Sequence, residues 1–592
     1  MVIAQPGGGP CGCFLFSMRR YIRVLCAIAI ALPTAAAAQR SLVMPSGKAP
    51  ETDPFRIAAG SSFSASAPAG RRAEIAAAAA AERRKIVEQL SEAERLIQNN
   101  YAGGPVPRVD KLTQSALTSL LHQLDPHSNY YDRSQWKELL DEQRSGYAGI
   151  GASLSSFARG PVVDTYIVST FERTPARLAG LRFGDRIVAI NGVSVEGSAI
   201  EETRDKIRGP IGTVVRITVE RADTGRRETL TIKRAIVDQP SVPDAYIIER
   251  GIGYIDLSEG FSYTTDAELG KALSDLKSAG MTSAIIDLRG NGGGLVDQAV
   301  KVAQRFLPKG TLIVSQRGRT PADDLEWVSN NSAPETMPLV LLVDENTASA
   351  SEIVAGAFQD RDRAIIVGEK TFGKGLVQNV IELPFNTGLT LTAARYYTPS
   401  GRSIQRDYSH IGRYEYFSHL TPSSDIGQPY FESKTLTGRR VLGGDGIVPD
   451  VNSSPELMTP LQVALLDPIF AFANDLVTGR VPGLAAMPRS TFLTSPDTPR
   501  SSILDLPDTL IGRLASYRTA EGTPVSAETI TRERVFIRAR LSHHLATSIV
   551  GSTLAKRVLN GIDPQIRAGI EAIPTAAELK RAADRAIRAG RK

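Results

Sequence analysis

The sequence predicts a multidomain α/β protein whose central sheet is largely parallel. With 592 residues, the chain is too long for a single hydrophobic core. Strand-like segments at residues 252–257, 283–288, 339–343 and 364–367 alternate with helix-like segments at 266–279, 295–306 and 349–358. Such alternation is typical of a parallel sheet that is covered by helices.

The segments before this core have a different composition. Residues 39–82 are rich in Ala, Ser, Gly and Pro, which predicts a low-complexity linker. Residues 83–145 are predicted to form a helical region, with helices at 83–97, at 109–124 and from residue 134 to about residue 143.

Changes in composition along the sequence also predict the bounds of the remaining domains. Residues 146–235 consist of short alternating strands with Gly, Asn and Asp turns, which predicts one small β-rich domain inserted before the core. The core itself is expected at residues 236–455. Residues 456–592, rich in Ala, Arg and Leu, predict a helical C-terminal extension.

Residues 1–38 have the features of a signal peptide. Three arginines within residues 19–23 precede an apolar stretch at 24–33, which is followed by alanines at 35–38. The apolar stretch is shorter than the roughly 20 residues that span a bilayer. We therefore expect export to a bacterial periplasm or cell envelope, with an uncleaved membrane anchor as the alternative.

Composition excludes several functional classes. Cys11, Cys13 and Cys26 all lie at or before the apolar stretch, so an exported mature chain would have no disulfide and no cysteine nucleophile. The net charge of +6 comes without a separate Lys/Arg block, which argues against nucleic-acid binding. The six histidines include no His-Glu-x-x-His pattern, and we expect neither a metal nor a cofactor.

A serine follows one of the predicted strands. The strand at 339–343 leads through small residues to Ser349, at the start of a predicted helix. There, free backbone N–H groups and the helix dipole favour an oxyanion. An ordinary helix N-cap, which also favours serine, is the alternative for this segment alone.

Two further segments carry candidate chemistry. Residues 287–294 (Asp-Leu-Arg-Gly-Asn-Gly-Gly-Gly) follow another strand, and their glycines allow the backbone to approach a ligand closely. They lack the Gly-Lys-Ser/Thr ending of a phosphate loop. Lys374 lies between two glycines in an apolar stretch, so it is either a surface lysine or a buried amine with a function.

Together these segments resemble the carboxyl-terminal processing peptidases, also called tail-specific proteases, over about residues 85–455. The Ser-Ala-Ser-Glu and Phe-Gly-Lys-Gly blocks have the order and separation of that family, and residues 124–128 and 149–151 also match it. The resemblance implies a crotonase-like α/β serine protease core. It also implies an endopeptidase that cleaves envelope or periplasmic proteins near their C-termini.

The same resemblance implies roles for individual residues. Ser349 would be the nucleophile, Lys374 the general base and Gln378 the residue that orients the lysine. The oxyanion hole would be formed by the Ala350 N–H and a glycine N–H near Gly293. A lysine base needs a pKa near 7 to 8 instead of about 10.4, and burial can supply that shift.

The β-rich segment resembles a PDZ domain. Its signature lies at residues 179–192, and Gly149, Ile150 and Gly151 would form the loop that binds a peptide carboxylate. PDZ domains add a peptide tail as an edge strand. Arg208, at a predicted helix-to-strand corner, would couple this domain to the active site, with a surface arginine as the alternative.

The expected partners are protein substrates with exposed C-termini, an activating peptide or adaptor, and further copies of the chain. The predicted contacts between copies are the N-terminal helices and an apolar face of the tail, with packing onto the chain's own core as the alternative. That face consists of Leu545, Ile549, Leu554, Val558 and Leu559. A catalytically idle PDZ adaptor of the same fold is the alternative function. An acyl-CoA enzyme is a third reading, which the predicted export and the PDZ signature oppose.

Overall fold

A computed structural model describes residues 69–103, 109–142, 146–159, 162–409, 411–418, 431–484, 506–520 and 525–590. The predicted signal peptide and residues 39–68 of the predicted linker lie outside the described residues. The chain divides into two compact units. The first contains Glu138–Val377 and Ala393–Lys592, and the second contains Met44–Lys137 and Gln378–Thr392.

The N-terminal region is helical, as predicted. It contains α1 (Ala69–Asn100), α2 (Val109–His122), β1 (Asn129–Tyr131) and α3 (Arg133–Glu142). However, α1 begins within the predicted linker. Residues 69–82 are helical rather than linker because they are rich in alanine, the residue with the highest helix propensity.

The turn between α2 and β1 is closed by one buried carboxylate. Asp125 Oδ1 accepts hydrogen bonds from the N–H groups of His127 (2.8 Å) and Ser128 (2.7 Å), and Oδ2 accepts one from the Ser128 hydroxyl (2.7 Å). His127 is fully buried beside it. These bonds hold the turn in shape and give the Asp-Pro-His segment a structural role.

The inserted domain contains eight strands and two short helices. They are β2 (Gly146–Gly149), β3 (Ala152–Arg159), β4 (Val162–Thr170), α4 (Pro175–Leu178), β5 (Arg186–Ile190), β6 (Val193–Ser194), α5 (Ile200–Ile207), β7 (Val214–Glu220), β8 (Arg227–Lys233) and β9 (Ala235–Asp238). An antiparallel sheet has the order β3-β4-β5-β7-β8, with β6 paired to β5. β2 and β9 pair with each other, and we call them the connecting ribbon because the chain enters and leaves the domain through them.

The core follows. Its strands are β10 (Asp244–Glu249), β11 (Ile252–Asp256), β12 (Ser283–Asp287), β13 (Leu312–Gly318), β14 (Leu325–Val328), β15 (Leu339–Val343), β16 (Ile365–Gly368), β17 (Leu376–Leu383), β18 (Thr387–Tyr397), β19 (Phe431–Lys434), β20 (Arg440–Gly443) and β21 (Val451–Asn452). Its helices are α6 (Thr265–Ser278), α7 (Val296–Phe306), α8 (Ala350–Asp360) and α9 (Arg413–Ser418), with a 3-10 turn at Pro321–Asp323.

The main sheet confirms the predicted parallel arrangement. Its order is β10-β11-β12-β15-β16-β21, and every neighbouring pair is parallel except β10 with β11. β11, β12 and β15 are buried along their whole length, as expected for strands covered on both faces. The loops that follow these three strands therefore meet at one edge of the sheet, where α/β proteins usually bind their ligands.

Smaller sheets complete the two units. In the first unit, β13 pairs with β14 and with Ala394–Tyr397 of β18, and β19 pairs with β20. In the second unit, β1 pairs with residues 388–390 of β18. All of these pairings are antiparallel.

The C-terminal extension is helical, as predicted. It contains α10 (Pro460–Val477), α11 (Asp508–Ala520), α12 (Ala527–Arg532), α13 (Arg534–Val550), α14 (Ser552–Asn560) and α15 (Pro564–Arg588). Within the described residues, α10 alone is apolar and long enough to cross a membrane, but half of it is buried in the protein, so this is weak evidence for a span.

The apolar face of the tail is not a free surface. Leu545 and Ile549 lie in the core that α10, α11 and α13 share, and Leu545 is completely buried. The predicted contact between copies is therefore wrong at Leu545 and Ile549, which the chain's own helices cover, whereas Leu554, Val558 and Leu559 are only partly buried and leave it a prediction there.

The extension packs on both the main sheet and the inserted domain. α15 lies on the face formed by Ile285, Val340 and Leu342, and an added Cβ at Gly569 would lie 3.0 Å from Leu342. On the inserted domain, Phe157 of β3 stacks on Phe470 of α10 with ring centroids 3.6 Å apart. The extension is therefore an integral part of the first unit.

Candidate active site

Ser349 immediately precedes α8 and is fully buried. Its φ angle is 60°, in a region that non-glycine residues seldom adopt, whereas an ordinary N-cap residue has an extended backbone. Such conformations cost about 1–3 kcal/mol and concentrate at functional sites. The backbone of Ser349 therefore distinguishes it from a simple helix cap.

Glu352 connects the serine to the lysine segment. Its Oε2 atom accepts hydrogen bonds from the N–H groups of both Ser349 and Lys374, each at 2.8 Å. The distance between the Ser349 and Lys374 amide nitrogens therefore cannot exceed the two hydrogen-bond lengths added together. The structure thus brings the main chain of the predicted nucleophile and the main chain of the predicted base to a single carboxylate oxygen.

The other oxygen of Glu352 holds the residues just before the lysine. Oε1 accepts hydrogen bonds from the Gly373 N–H (2.8 Å) and from the Thr371 hydroxyl (2.5 Å). Thr371 Oγ1 itself accepts the Ile447 N–H at 2.7 Å, so the Thr371 hydroxyl hydrogen points to Glu352. All four bonds are thus donated to the carboxylate.

Burial and these bonds act on Glu352 in opposite directions. Burial raises the pKa of the Glu352 carboxyl, and the four donors offset part of that rise because they favour the ionised form. The sequence contains a signal for this residue that the sequence analysis did not use. A glutamate three residues after a serine at a helix start has the spacing of a capping box.

Lys374 is completely buried, as the functional interpretation of the sequence requires. The glycines on both sides of it are needed for close packing. An added Cβ at Gly373 would lie 2.8 Å from the Cβ of Arg406, and one at Gly375 would lie 2.8 Å from the Gln405 nitrogen. Burial disfavours the charged ammonium form of a lysine.

Residues 405–409 and 411–418, which are rich in aromatic side chains, pack against this lysine segment. The Arg406 guanidinium lies between the rings of Phe372 and Tyr416, at 4.7 and 4.5 Å from their centroids. Gln405 donates a hydrogen bond to the Tyr416 hydroxyl and accepts one from the Gly375 N–H. Residues 405–409 and 411–418 therefore help to enclose the segment that carries Lys374, which the sequence alone did not indicate.

The glycine loop, residues 290–294, lies directly against the serine. A Cβ at Gly293 would lie 2.8 Å from the Ser349 Cβ and 3.0 Å from the Ala350 nitrogen, so only glycine fits. The Gly293 N–H donates to Asn291 Oδ1 at 2.9 Å, which makes it unavailable to an oxyanion in this arrangement. Of the two predicted donors, the Ala350 N–H remains, in the first turn of α8.

Ser351, in the first turn of α8, also contacts this loop. Its hydroxyl donates to Asn291 Oδ1 at 2.7 Å, and the Asn291 carbonyl oxygen accepts the Ala348 N–H at 3.0 Å. The sequence analysis did not single out Asn291, although it lies within the glycine-rich segment. It joins the glycine loop to the residues on both sides of Ser349.

Gln378 lies four residues after Lys374, near the start of β17, and its side chain is fully buried. Neither polar atom of its amide has a hydrogen-bond partner within the described part of the chain. The role of Gln378 in orienting the lysine stays a prediction.

The predicted carboxylate loop of the inserted domain is firmly anchored. Gly151 has a φ of 78°, and an added Cβ would lie 2.3 Å from the Thr174 Cβ. Its carbonyl oxygen accepts the Thr174 hydroxyl and the Phe171 N–H, and the Ile150 carbonyl oxygen accepts the Ala176 N–H at 2.7 Å. These bonds fix Ile150 and Gly151 in the turn between β2, which ends at Gly149, and β3.

Arg208 lies at the end of α5, with its guanidinium 6.0 Å from the ring centroid of Tyr147. Tyr147 belongs to β2, one strand of the connecting ribbon. The arginine thus contacts the strand by which the chain enters the inserted domain.

No group of three or more His, Cys, Asp or Glu side chains within the described ranges is arranged to hold a metal ion.

Two family profiles match this chain. The sequence profile of peptidase family S41 matches residues 251–410, and a PDZ domain profile matches residues 168–221. The carboxy-terminal-processing protease of Bartonella bacilliformis is 38% identical over 305 residues, which cover 51% of this chain and 68% of that protein. The carboxy-terminal processing protease CtpB of Bacillus subtilis is 31% identical over 391 residues, covering 65% and 77% respectively.

Solved structures were also found. The photosystem II D1 C-terminal processing protease is 26% identical, and the match covers 61% of this chain and 86% of that one with a TM-score of 0.34.

Proposed function

Because the chain belongs to the carboxy-terminal processing proteases of peptidase family S41, we propose that it is a serine endopeptidase that cuts with a dyad of Ser349 and Lys374. The observation that carries this proposal is the shared Glu352 oxygen, which accepts both main-chain N–H groups at 2.8 Å. The complete burial of both residues further supports it.

In the proposed reaction, a neutral Lys374 amine takes the proton from the Ser349 hydroxyl as its oxygen attacks the scissile carbonyl carbon. The Ala350 N–H, at the positive end of the α8 dipole, would stabilise the oxyanion that forms. The Lys374 ammonium then gives its proton to the leaving amine, and the carbon–nitrogen bond breaks. Water, activated by the same amine, hydrolyses the acyl-enzyme and restores Ser349.

We propose exported proteins of the bacterial envelope as substrates, cut near their C-termini. The predicted signal peptide motivates the location, and sequencing the N-terminus of the protein from a periplasmic fraction would test it. The substrate tail would join β3 as an added strand, with its carboxylate at the loop of Gly149 to Gly151. The three backbone and hydroxyl hydrogen bonds of that loop support a preformed site.

The proposed function predicts that digestion depends on Ser349. Purified wild-type protein should cleave an unfolded protein substrate, and Ser349→Ala should not. Ser278→Ala is a matched control because Ser278 is exposed on α6. Mass spectrometry of the products should place the cleavage sites near the substrate's C-terminus. Binding of C-terminal peptides with no Ser349-dependent cleavage would instead identify an idle PDZ adaptor.

We further propose that Arg208 couples peptide binding by the PDZ domain to cleavage, through the connecting ribbon. Adding a C-terminal peptide should raise the cleavage rate of a short reporter, and Arg208→Ala should change that stimulation about 5-fold or more, as expected for allosteric coupling. Arg204→Ala, on the same helix, is the control, because Arg204 is paired with its neighbour Asp205. Equal stimulation in all three proteins would reduce Arg208 to a surface residue.

Self-association through the N-terminal helix is proposed as well. Ile86, Leu90 and Ile97 of α1 are exposed and lie on one face of the helix. Residues 83–85 are basic and residues 88–94 include three glutamates, so two antiparallel copies of α1 would have complementary charge. A second copy of the chain is therefore the expected partner.

If α1 joins two copies, Leu90→Glu should lower the particle mass in solution, because a charge would be buried in the contact. Asn99→Glu adds the same charge on the opposite face of α1 and should leave the mass unchanged. Mass photometry measures both. An unchanged particle mass in Leu90→Glu would exclude α1 as the contact.

A further inference from the structure

We propose that Asp563 and Gln565, at the start of α15, are positioning residues for the peptidase reaction. They fix the Arg289 guanidinium, which in turn holds the glycine loop against Ser349. The inference rests on the proposed function and extends the active site to the C-terminal extension, which lies outside the segment that the S41 profile matches.

The extension reaches Arg289 directly. One guanidinium nitrogen of Arg289 donates to Asp563 Oδ2 and to Gln565 Oε1, each at 2.8 Å. The other two nitrogens donate to the Asp287 carboxylate, at 2.7 to 3.1 Å. Arg289 and Asp287 are largely buried, so these charges have little access to water. The guanidinium is thus held on one side by the sheet and on the other by the extension.

Asp287 is the last residue of β12, and Arg289 begins the turn into the glycine loop. Burial alone would raise the pKa of Asp287, but the neighbouring Arg289 cation lowers it, which keeps the carboxylate charged. Asp287 Oδ1 also accepts the Arg289 N–H at 3.0 Å. Both the main chain and the side chain of Arg289 are therefore fixed at the point where the loop leaves the sheet.

The loop then passes to the serine. The Gly290 N–H donates to Asp344 Oδ1 at 2.9 Å, and Asn291 holds Ala348 and Ser351 through the bonds described above. Gly293 packs against Ser349 without room for a side chain. A displacement of Arg289 would therefore shift the glycine loop and, through the hydrogen bonds of that loop, the backbone around Ser349.

The extension is itself anchored well enough to act as a support. Gln565 Nε2 donates to the Ser453 carbonyl oxygen at 2.7 Å, and Gln565 is almost completely buried. Lys556, in the preceding helix, donates to Asp256 at the end of β11 at 2.6 Å. Because α15 also packs on the main sheet, Asp563 and Gln565 are held in place independently of Arg289.

This arrangement predicts a specific kinetic effect. Asp563 and Gln565 act through Arg289. Their loss should therefore disturb the geometry around Ser349 strongly and change substrate affinity little. Small misplacements of reacting groups cost up to about 100-fold in rate. An interaction that matters only in the transition state lowers kcat and leaves KM nearly unchanged.

The test is Asp563→Asn in the full-length protein. Asparagine still accepts the Gln565 and Ile566 N–H groups that cap α15, but it removes the charge that faces Arg289. We expect kcat to fall about 10- to 100-fold, with KM and the unfolding temperature nearly unchanged. Glu571→Gln removes a charge from the exposed side of the same helix and should have wild-type kinetics.

A second variant separates positioning from stability. If Asp563 acts through Arg289, adding Asp563→Asn to Arg289→Lys should lower kcat little further than Arg289→Lys alone, because the two changes disturb the same contact. A wild-type kcat in Asp563→Asn, or fully additive losses in the double variant, would overturn the inference. If the wild-type protein cleaves and Ser349→Ala does not, such a result leaves the proposed function intact. Cleavage that does not depend on Ser349 would reject both.

Discussion

Lys374→Arg is expected to abolish peptide cleavage. Arginine stays protonated at any usable pH, so it cannot accept the Ser349 proton. Because general base catalysis contributes about 10²- to 10⁴-fold, kcat/KM should fall by at least about 10²-fold. Lys374→Ala should have the same effect for a different reason, since it removes the amine altogether. Reporter cleavage under single-turnover conditions measures both.

The pH dependence of the wild type supplies the complementary evidence. Only the neutral amine can act as a base, so cleavage should rise with pH as the ammonium form is lost. Lys374→Met keeps an apolar side chain in the buried site and controls for packing. Retention of the near-UV circular dichroism spectrum in all three variants would show that the fold is intact. Substantial activity in Lys374→Arg would contradict the dyad.

The fold was predictable where its signal is local. The strand expected at residues 339–343 was found at Leu339–Val343, because a short apolar run between Pro338 and Asp344 marks a strand buried on both faces. The predicted linker was wrong at residues 69–82, which belong to α1. An alanine run predicts a linker by its low complexity but a helix by its helix propensity. The sequence pattern alone could not resolve that conflict.

The site was predictable residue by residue, but its connections were not. Ser349 and Lys374 each stand in a short recognisable segment. The bond from Arg289 to Asp563 joins positions 274 residues apart, and no periodicity records such a pairing. The Gly293 N–H was assigned to the oxyanion hole from its segment, whereas the structure commits it to Asn291. Which donor meets which acceptor is decided by tertiary packing.

Glu352→Gln is expected to impair both stability and cleavage. An amide side chain offers one acceptor oxygen where the carboxylate offers two, so its NH2 group must face at least one of the buried N–H donors. An unsatisfied buried donor costs about 1–3 kcal/mol, and here two donors share each oxygen, so we expect a loss of about 2–6 kcal/mol in the free energy of unfolding. Denaturant unfolding with two spectroscopic probes measures this loss.

Cleavage by the Glu352→Gln variant should fall further than its stability alone explains. Whichever way the amide turns, Ser349 and Lys374 or Thr371 and Gly373 lose a common acceptor, and the serine and lysine segments are no longer held together. We expect kcat to decrease about 100-fold at temperatures where the variant remains folded, because misplaced reacting groups lose rate steeply. Glu345→Gln removes an exposed carboxylate from the loop before Ser349 and should have neither effect. A folded Glu352→Gln protein with the wild-type kcat would show that the shared carboxylate does not align the dyad.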